Sequence, residues 1–316
     1  MRVTSFIASA FRGVATSLAR GAKGFFDFAL LAGCAGFFLA PMRTAAQETP
    51  YFVTYSHHLE EPGNLEVALN STYGTQHRGN DFVAPWLELE YGVTAWWTFE
   101  AELDSQSTFR DSALYTGSRW ENRFRPLMRE HWINPVLYVE FENISGADKT
   151  IKEVVGFDNA ADHAVASNVA RREHAHEIET KLILSSDYKG WNISENFLGE
   201  KNLGHQPWEF GYAVAASRPF RLAATSRFCN FCAENFVAGV EFYGGLGTDK
   251  QVTLSGTSHY AAPILSWQLP RGVNFSVSPG FGLTGASHGF LLRWGVTYEI
   301  EGVGRAIDNK LRSMFQ

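Results

Sequence analysis

The chain has 316 residues, with 27 Lys and Arg against 33 Asp and Glu, 14% aromatic residues, and 29 Gly against 11 Pro. A net charge of -6 excludes the basic footprint that a general nucleic-acid binder needs, so no nucleic-acid partner is expected. A mean hydropathy of -0.16 speaks against a helical membrane protein but suits a barrel whose alternate residues face water.

Residues 1–46 read as an export signal. Arg2, Arg12, Arg20 and Lys23 form a basic stretch, and Phe28 to Ala40 is an apolar run too short to span a membrane comfortably. Thr44, Ala45 and Ala46 then offer small residues before Gln47, the favoured cleavage point. A retained anchor is one alternative. A lipoprotein box at Leu31–Cys34 is another, although the apolar run continues past Cys34. Cleavage removes five of the 27 basic and one of the 33 acidic residues, leaving a net charge of -10. Residues 47–64 are then a periplasmic N-terminal segment.

From residue 65 onward, period-two alternation recurs between turns, which is the pattern of half-buried strands. Leu65, Val67 and Leu69 oppose Glu66, Ala68 and Asn70. Val83, Pro85, Leu87, Leu89 and Tyr91 oppose Trp86, Glu88 and Glu90, and Trp97, Phe99, Ala101 and Leu103 oppose Thr98, Glu100 and Glu102. Similar runs place Glu140 and Glu142, then Glu177, Glu179 and Lys181, then Glu209, on polar faces. The last quarter alternates most clearly, ending in Phe290, Leu292, Trp294, Val296, Tyr298 and Ile300.

Twelve segments result: 65–73, 82–92, 94–103, 121–131, 133–143, 176–188, 191–201, 207–218, 236–245, 258–269, 273–284 and 289–300. The expected fold is all-β: a transmembrane antiparallel β-barrel of about twelve strands over 65–300, in the bacterial outer membrane. Closure leaves no unpaired strand edge in hydrocarbon, where unsatisfied peptide groups are costly. A soluble β-sandwich alternates in the same way and is the competing fold. The long loop 144–175 is expected outside the wall, with room for a short helix, and 301–316 is a C-terminal extension.

If the apolar face meets lipid, the other face lines the lumen. Glu66, Glu88, Glu90, Glu100, Glu102, Glu140, Glu142, Glu177, Glu179, Glu209, Glu241, Arg293 and Glu299 are the lumen-lining candidates. They could attract cations or orient polar solutes. Equally, they could form a closed charge network with Arg123, Arg125, Arg129, Lys181 and Arg293. Cys229 and Cys232 are spaced for a disulfide loop in an oxidising compartment. His174, His176 and His131 lack the spacing of a metal motif, and His57-His58 reads as an ordinary segment, so no metal site is expected. No nucleophile elbow or phosphate-binding loop is present in the sequence, so neither catalytic residues nor cofactors are assigned.

The segments FVAPWLELEYGVTAWWTFEAEL (82–103) and PWEFGYAVAASRPF (207–220) have a further significance. The first resembles Glu-rich hairpins of bacterial outer-membrane proteins grouped with putative transporters of aromatic-compound degradation pathways. That resemblance implies a small porin-like channel in contact with outer-membrane lipid and barrel-assembly machinery, passing a small polar, cationic or aromatic solute. It transfers no functional motif residue by residue. A closed structural or interaction barrel of the cell envelope is the alternative, and an outer-membrane hydrolase is a third reading.

Overall fold

The computed structural model describes residues 50–314, apart from 205, 224–228 and 270–271. The export-signal reading of 1–46 therefore lies outside the described residues. The strands are β1 (Leu65–Gly74), β2 (Phe82–Thr94), β3 (Trp97–Thr108), β4 (Ala113–Phe124), β5 (Asn134–Ser145), β6 (His174–Tyr188) and β7 (Trp191–Asn202). They continue as β8 (Trp208–Pro219), β9 (Phe236–Thr248), β10 (Gln251–Val252), β11 (His259–Leu269), β12 (Val273–Gly282) and β13 (Phe290–Ile300). β10 is a two-residue extension paired with the end of β9.

The other twelve strands form one antiparallel sheet in which each strand pairs with its neighbour along the chain. β1 pairs with β13 over ten residues, from Leu65↔Ile300 to Gly74↔Leu291, and so closes the sheet into a barrel. Both ends of the wall lie at one rim, called here the terminal rim, where β1 begins and β13 finishes. The opposite, far rim carries the 146–173 connection.

The alternation sets the two faces. Every wall strand exposes a large apolar side chain outward: Leu69, Leu89, Leu103, Trp120, Leu137, Leu182, Phe197, Val214, Phe242, Leu265, Phe275 and Val296. A continuous apolar belt with a polar interior is the arrangement that hydrocarbon imposes on a barrel, and the reverse of a soluble sandwich. Glu195 on β7 and Arg218 on β8 interrupt the belt, and the Arg218 guanidinium lies 5.7 Å from the centre of the Trp191 ring.

Three placements differ from the sequence expectation. β4 spans 113–124 rather than 121–131, because Pro126 cannot continue the ladder and residues 125–133 form the connection to β5. Arg125 and Arg129 consequently sit in that connection, where Arg125 pairs with Glu130 at 2.5 Å. The segment expected on the periplasmic side runs inside the wall from Tyr51 to His57, bonded to inward-facing side chains. The long loop also turns inward, burying Lys152, Val154 and Val155. A helix, Val303–Met314, follows the last strand and is tied to the start of the wall by Gly304 N–H donating to the Gly63 carbonyl at 2.9 Å.

Candidate functional site: a carboxylate-lined lumen entered by peptide segments from both rims

Because side chains alternate with period two, a residue's cross-strand partners share its face. From β13 to β8 this brings one glutamate per strand into direct register. The row runs Glu299, Glu66, Glu90, Glu100, Glu121, Glu140, Glu179, Glu200 and Glu209, each the Cα partner of the next. A second row beside it pairs Glu88 with Glu102, Glu102 with Arg119, Arg119 with Glu142 and Glu142 with Glu177. All thirteen residues expected to line the lumen lie on the inner face.

Like charges directly opposite each other repel, and burial enlarges the effect. Four inward cations answer it. Arg123 reaches Glu90, Glu100 and Glu121 at 2.5, 3.2 and 2.6 Å. Arg119 reaches Asp104 at 2.9 Å, Glu142 at 2.7 Å and Glu153 at 2.6 Å. Lys181 pairs with Glu179 at 2.7 Å, and Lys152 pairs with Glu102 and, at 3.6 Å, with Glu88. Arg293 binds no carboxylate among the described residues. Its guanidinium donates instead to the Tyr243 hydroxyl and the Ile151 carbonyl.

Sequence reasoning missed Glu121, Glu200, Arg119, Lys152 and Glu153. Arg119 and Glu121 were hidden by the register of β4. Lys152 and Glu153 belong to the loop, where no periodicity marks a residue as inward. Glu200 shares its β7 face with Asn192, Ser194 and Asn196 and was readable from that alternation.

Two peptide segments occupy this lumen. The N-terminal segment is clamped by Glu241, whose carboxylate accepts the backbone N–H groups of Phe52, Val53 and Thr54 at 3.3, 3.0 and 2.8 Å. Asn196 grips Tyr55 through both its amide atoms, at 2.6 and 2.9 Å, and the Tyr55 hydroxyl donates to Glu121 at 3.0 Å. From the far rim, Thr72 donates to the Thr150 carbonyl at 2.8 Å, and the Gly156 N–H donates to the Phe210 carbonyl at 3.0 Å.

Close approach of the loop depends on glycine in the wall. A Cβ on Gly211 would stand 2.4 Å from the Val154 carbonyl oxygen, and one on Gly245 would stand 2.5 Å from that of Gly156. The two segments meet in a small apolar cluster in which Val53 and Val154 are buried with Tyr243, Tyr260 and Leu291, flanked by Phe52 and Ile151. Ile151 itself has φ 52°, a left-handed conformation that is strained for a β-branched residue.

A cavity of about 210 Å³ lies between residues 50–61 and the wall. It is lined by Glu66, Glu88, Glu90, Glu100 and Glu299, with Asn70, Asn274, Ser276 and Thr297. Glu153, in the loop, would be driven up by burial, but Arg119, Lys181 and Lys152 outweigh that and hold its carboxyl below the usual range. It is therefore an anion bound to the wall.

Other expected positions lie elsewhere. Cys229 and Cys232 are disulfide-bonded in the β8–β9 connection, their Cα atoms 5.5 Å apart. His174 and His176 flank Ala175 at the far-rim end of β6 and gather no third ligand among the described residues. His57 and His58, read from sequence as an ordinary segment, converge on Asp187.

No protein-family model matches the chain, and no curated protein matches it. Among solved structures, the chain is similar to an outer membrane channel from Pseudomonas putida F1, with a TM-score of 0.49, 11% identity, and coverage of 80% of this chain and 100% of that one. It is also similar to the KdgM porin, with a TM-score of 0.45, 8% identity, and coverage of 73% and 98%. LpxR from Salmonella typhimurium gives a TM-score of 0.38 at 12% identity, covering 74% and 99%. At these identities no residue role passes from those proteins to this chain.

Proposed function

We propose that the protein is a gated outer-membrane channel for small cationic or polar solutes, with the described arrangement as its closed state. The observation that carries this reading is the glutamate row, which lines nine consecutive wall strands and is covered by peptide segments held through polar contacts. A lumen rich in carboxylates concentrates cations once water enters. In this reading the terminal rim faces the periplasm, and the two inward segments are the movable parts. Strain at Ile151 favours release of the loop, while the Arg293 and Arg119 contacts oppose it.

The resemblance of 82–103 to channels grouped with aromatic-compound degradation keeps small aromatic cations among the solutes to be tried. A permanently closed structural barrel is the second reading, and the ion pairs spanning loop and wall, such as Lys152 with Glu102, favour it. Planar-bilayer recording separates the two. The wild-type barrel is expected to conduct rarely, and a variant lacking residues 50–58 to conduct steadily with cations preferred. Silence of that variant, and of one in which the 146–173 loop is also displaced, with correct insertion shown by heat-modifiable migration, would leave the structural reading.

A further inference from the structure

Beyond the channel reading, the terminal rim gathers four side chains whose chemistry is that of a metal site. The Nε2 atoms of His57 and His58 both point at Asp187. His58 Nε2 lies 2.9 Å and His57 Nε2 3.8 Å from Asp187 Oδ2, and His57 Nε2 lies 2.9 Å from Glu130 Oε2. The ligand atoms of His57, His58 and Asp187 all lie within 4.8 Å of one another. A tetrahedral ion with metal–ligand distances of about 2.0–2.1 Å places its ligand atoms roughly 3.3 Å apart. His57, His58 and Asp187 therefore need only small side-chain shifts, and Glu130, in contact with His57, would complete the set by turning its exposed side chain toward the other ligands.

We propose that His57, His58, Asp187 and Glu130 bind a zinc-class divalent transition-metal ion. Two imidazoles and two carboxylates balance the charge of such an ion, and imidazole nitrogen selects it over calcium or magnesium, which prefer all-oxygen shells.

The supporting groups behind these ligands are already in place. The Ser185 hydroxyl meets His57 Nδ1 at 2.9 Å and can accept from it, which frees Nε2 for the metal. Asn192 donates to Asp187 Oδ1 at 2.7 Å, leaving Oδ2 turned toward the histidines. Arg125 donates to Glu130 Oε1 at 2.5 Å, leaving Oε2 toward His57. The ligands come from three places: the N-terminal segment, the β4–β5 turn and the end of β6. A bound ion would thus latch the N-terminal segment to the wall.

The test uses the full chain without a polyhistidine tag, purified in detergent, stripped with chelator and titrated with zinc against a chromophoric competitor. One zinc per chain is expected, with affinity falling at least tenfold in His57→Ala/His58→Ala and in Asp187→Asn. Heat-modifiable migration identifies variants that retain the barrel. X-ray absorption of the loaded wild type should show two imidazoles in the first coordination shell. Calcium titration controls for the lumen carboxylates, and any calcium uptake should be the same in the variants. Absence of a stoichiometric zinc, or equal zinc affinity in wild type and both folded variants, overturns the site.

Discussion

Arg119, on the wall, holds Glu153, on the inward loop, with Nη1 2.6 Å from Oε1. The same guanidinium also holds Asp104 and Glu142 on the two neighbouring strands, so one side chain joins two buried wall carboxylates to one on the loop. Removing one partner of a buried ion pair leaves an uncompensated charge, which costs far more than the pair itself contributes. Arg119→Leu is expected to lower barrel stability by about 3–5 kcal/mol. Urea titration in detergent, followed by heat-modifiable migration, reads the shift, and an unchanged midpoint would show that water already screens the cluster.

Gly211 supplies a way to move the loop without touching any charge. Gly211→Val inserts a side chain where the Val154 carbonyl now stands, so the loop must leave the wall while the β7–β8 and β8–β9 pairing is kept. The variant is expected to show protease cleavage within 150–158 and a rise in conductance of about tenfold or more, since lifting the plug shifts a closed–open equilibrium. Cleavage without conductance would mean that the N-terminal segment alone seals the lumen.

The glutamate row should set ion preference once the lumen is open. In the Gly211→Val background, changing Glu66, Glu90 and Glu299 to Gln removes three neighbouring carboxylates that line the cavity. Reversal-potential measurements in a salt gradient are expected to show cation preference falling severalfold. No change would move selectivity to another part of the wall.

Loop docking at the far rim should weaken in acid. His163 Nδ1 contacts His288 Nε2 at 2.8 Å, with Phe82 edge-on to both rings. Burial, with the partner imidazole and Lys149 nearby, brings His163 down to about 3, and burial, Lys149 and Arg293 bring His288 down to about 4. A base whose folded pKa is depressed binds fewer protons when folded, so its stabilising contribution is present above 6.5 and lost as pH falls toward those lower values. Hydrogen-exchange protection factors of residues 159–164, corrected for the intrinsic rate at each pH, should therefore fall between about pH 6.5 and 4, and His288→Asn should flatten the profile. A flat wild-type profile would rule out docking through neutral imidazoles.

The wall was legible because period two is a direct consequence of strand geometry, and each inward glutamate announced its face through its neighbours. Leu87, Glu88, Leu89 and Glu90 are enough to fix which way β2 turns. The register of β4 was not legible, since polar residues occupy both faces around Ser118 and Asn122. Nor could sequence reveal the plug. Lys152 and Glu153 acquire their roles from partners on β2, β3 and β4, which no local pattern connects to them. His57 and His58 likewise become a constellation only through Asp187 and Glu130, 129 and 72 residues further along the chain.

The register of the glutamate row also bears on how the barrel is assembled. A slip of one residue between any two strands would turn the carboxylates on one side of the slip out of the lumen and into lipid. A charged side chain on the lipid face of a barrel costs up to about 2–4 kcal/mol at the midplane, a carboxylate less, and little near the interfaces. With a glutamate on each of nine adjoining strands, the penalty is repeated along the sheet rather than confined to the faulty hairpin. The carboxylates that are costly to bury in the lumen thus also penalise misaligned strands.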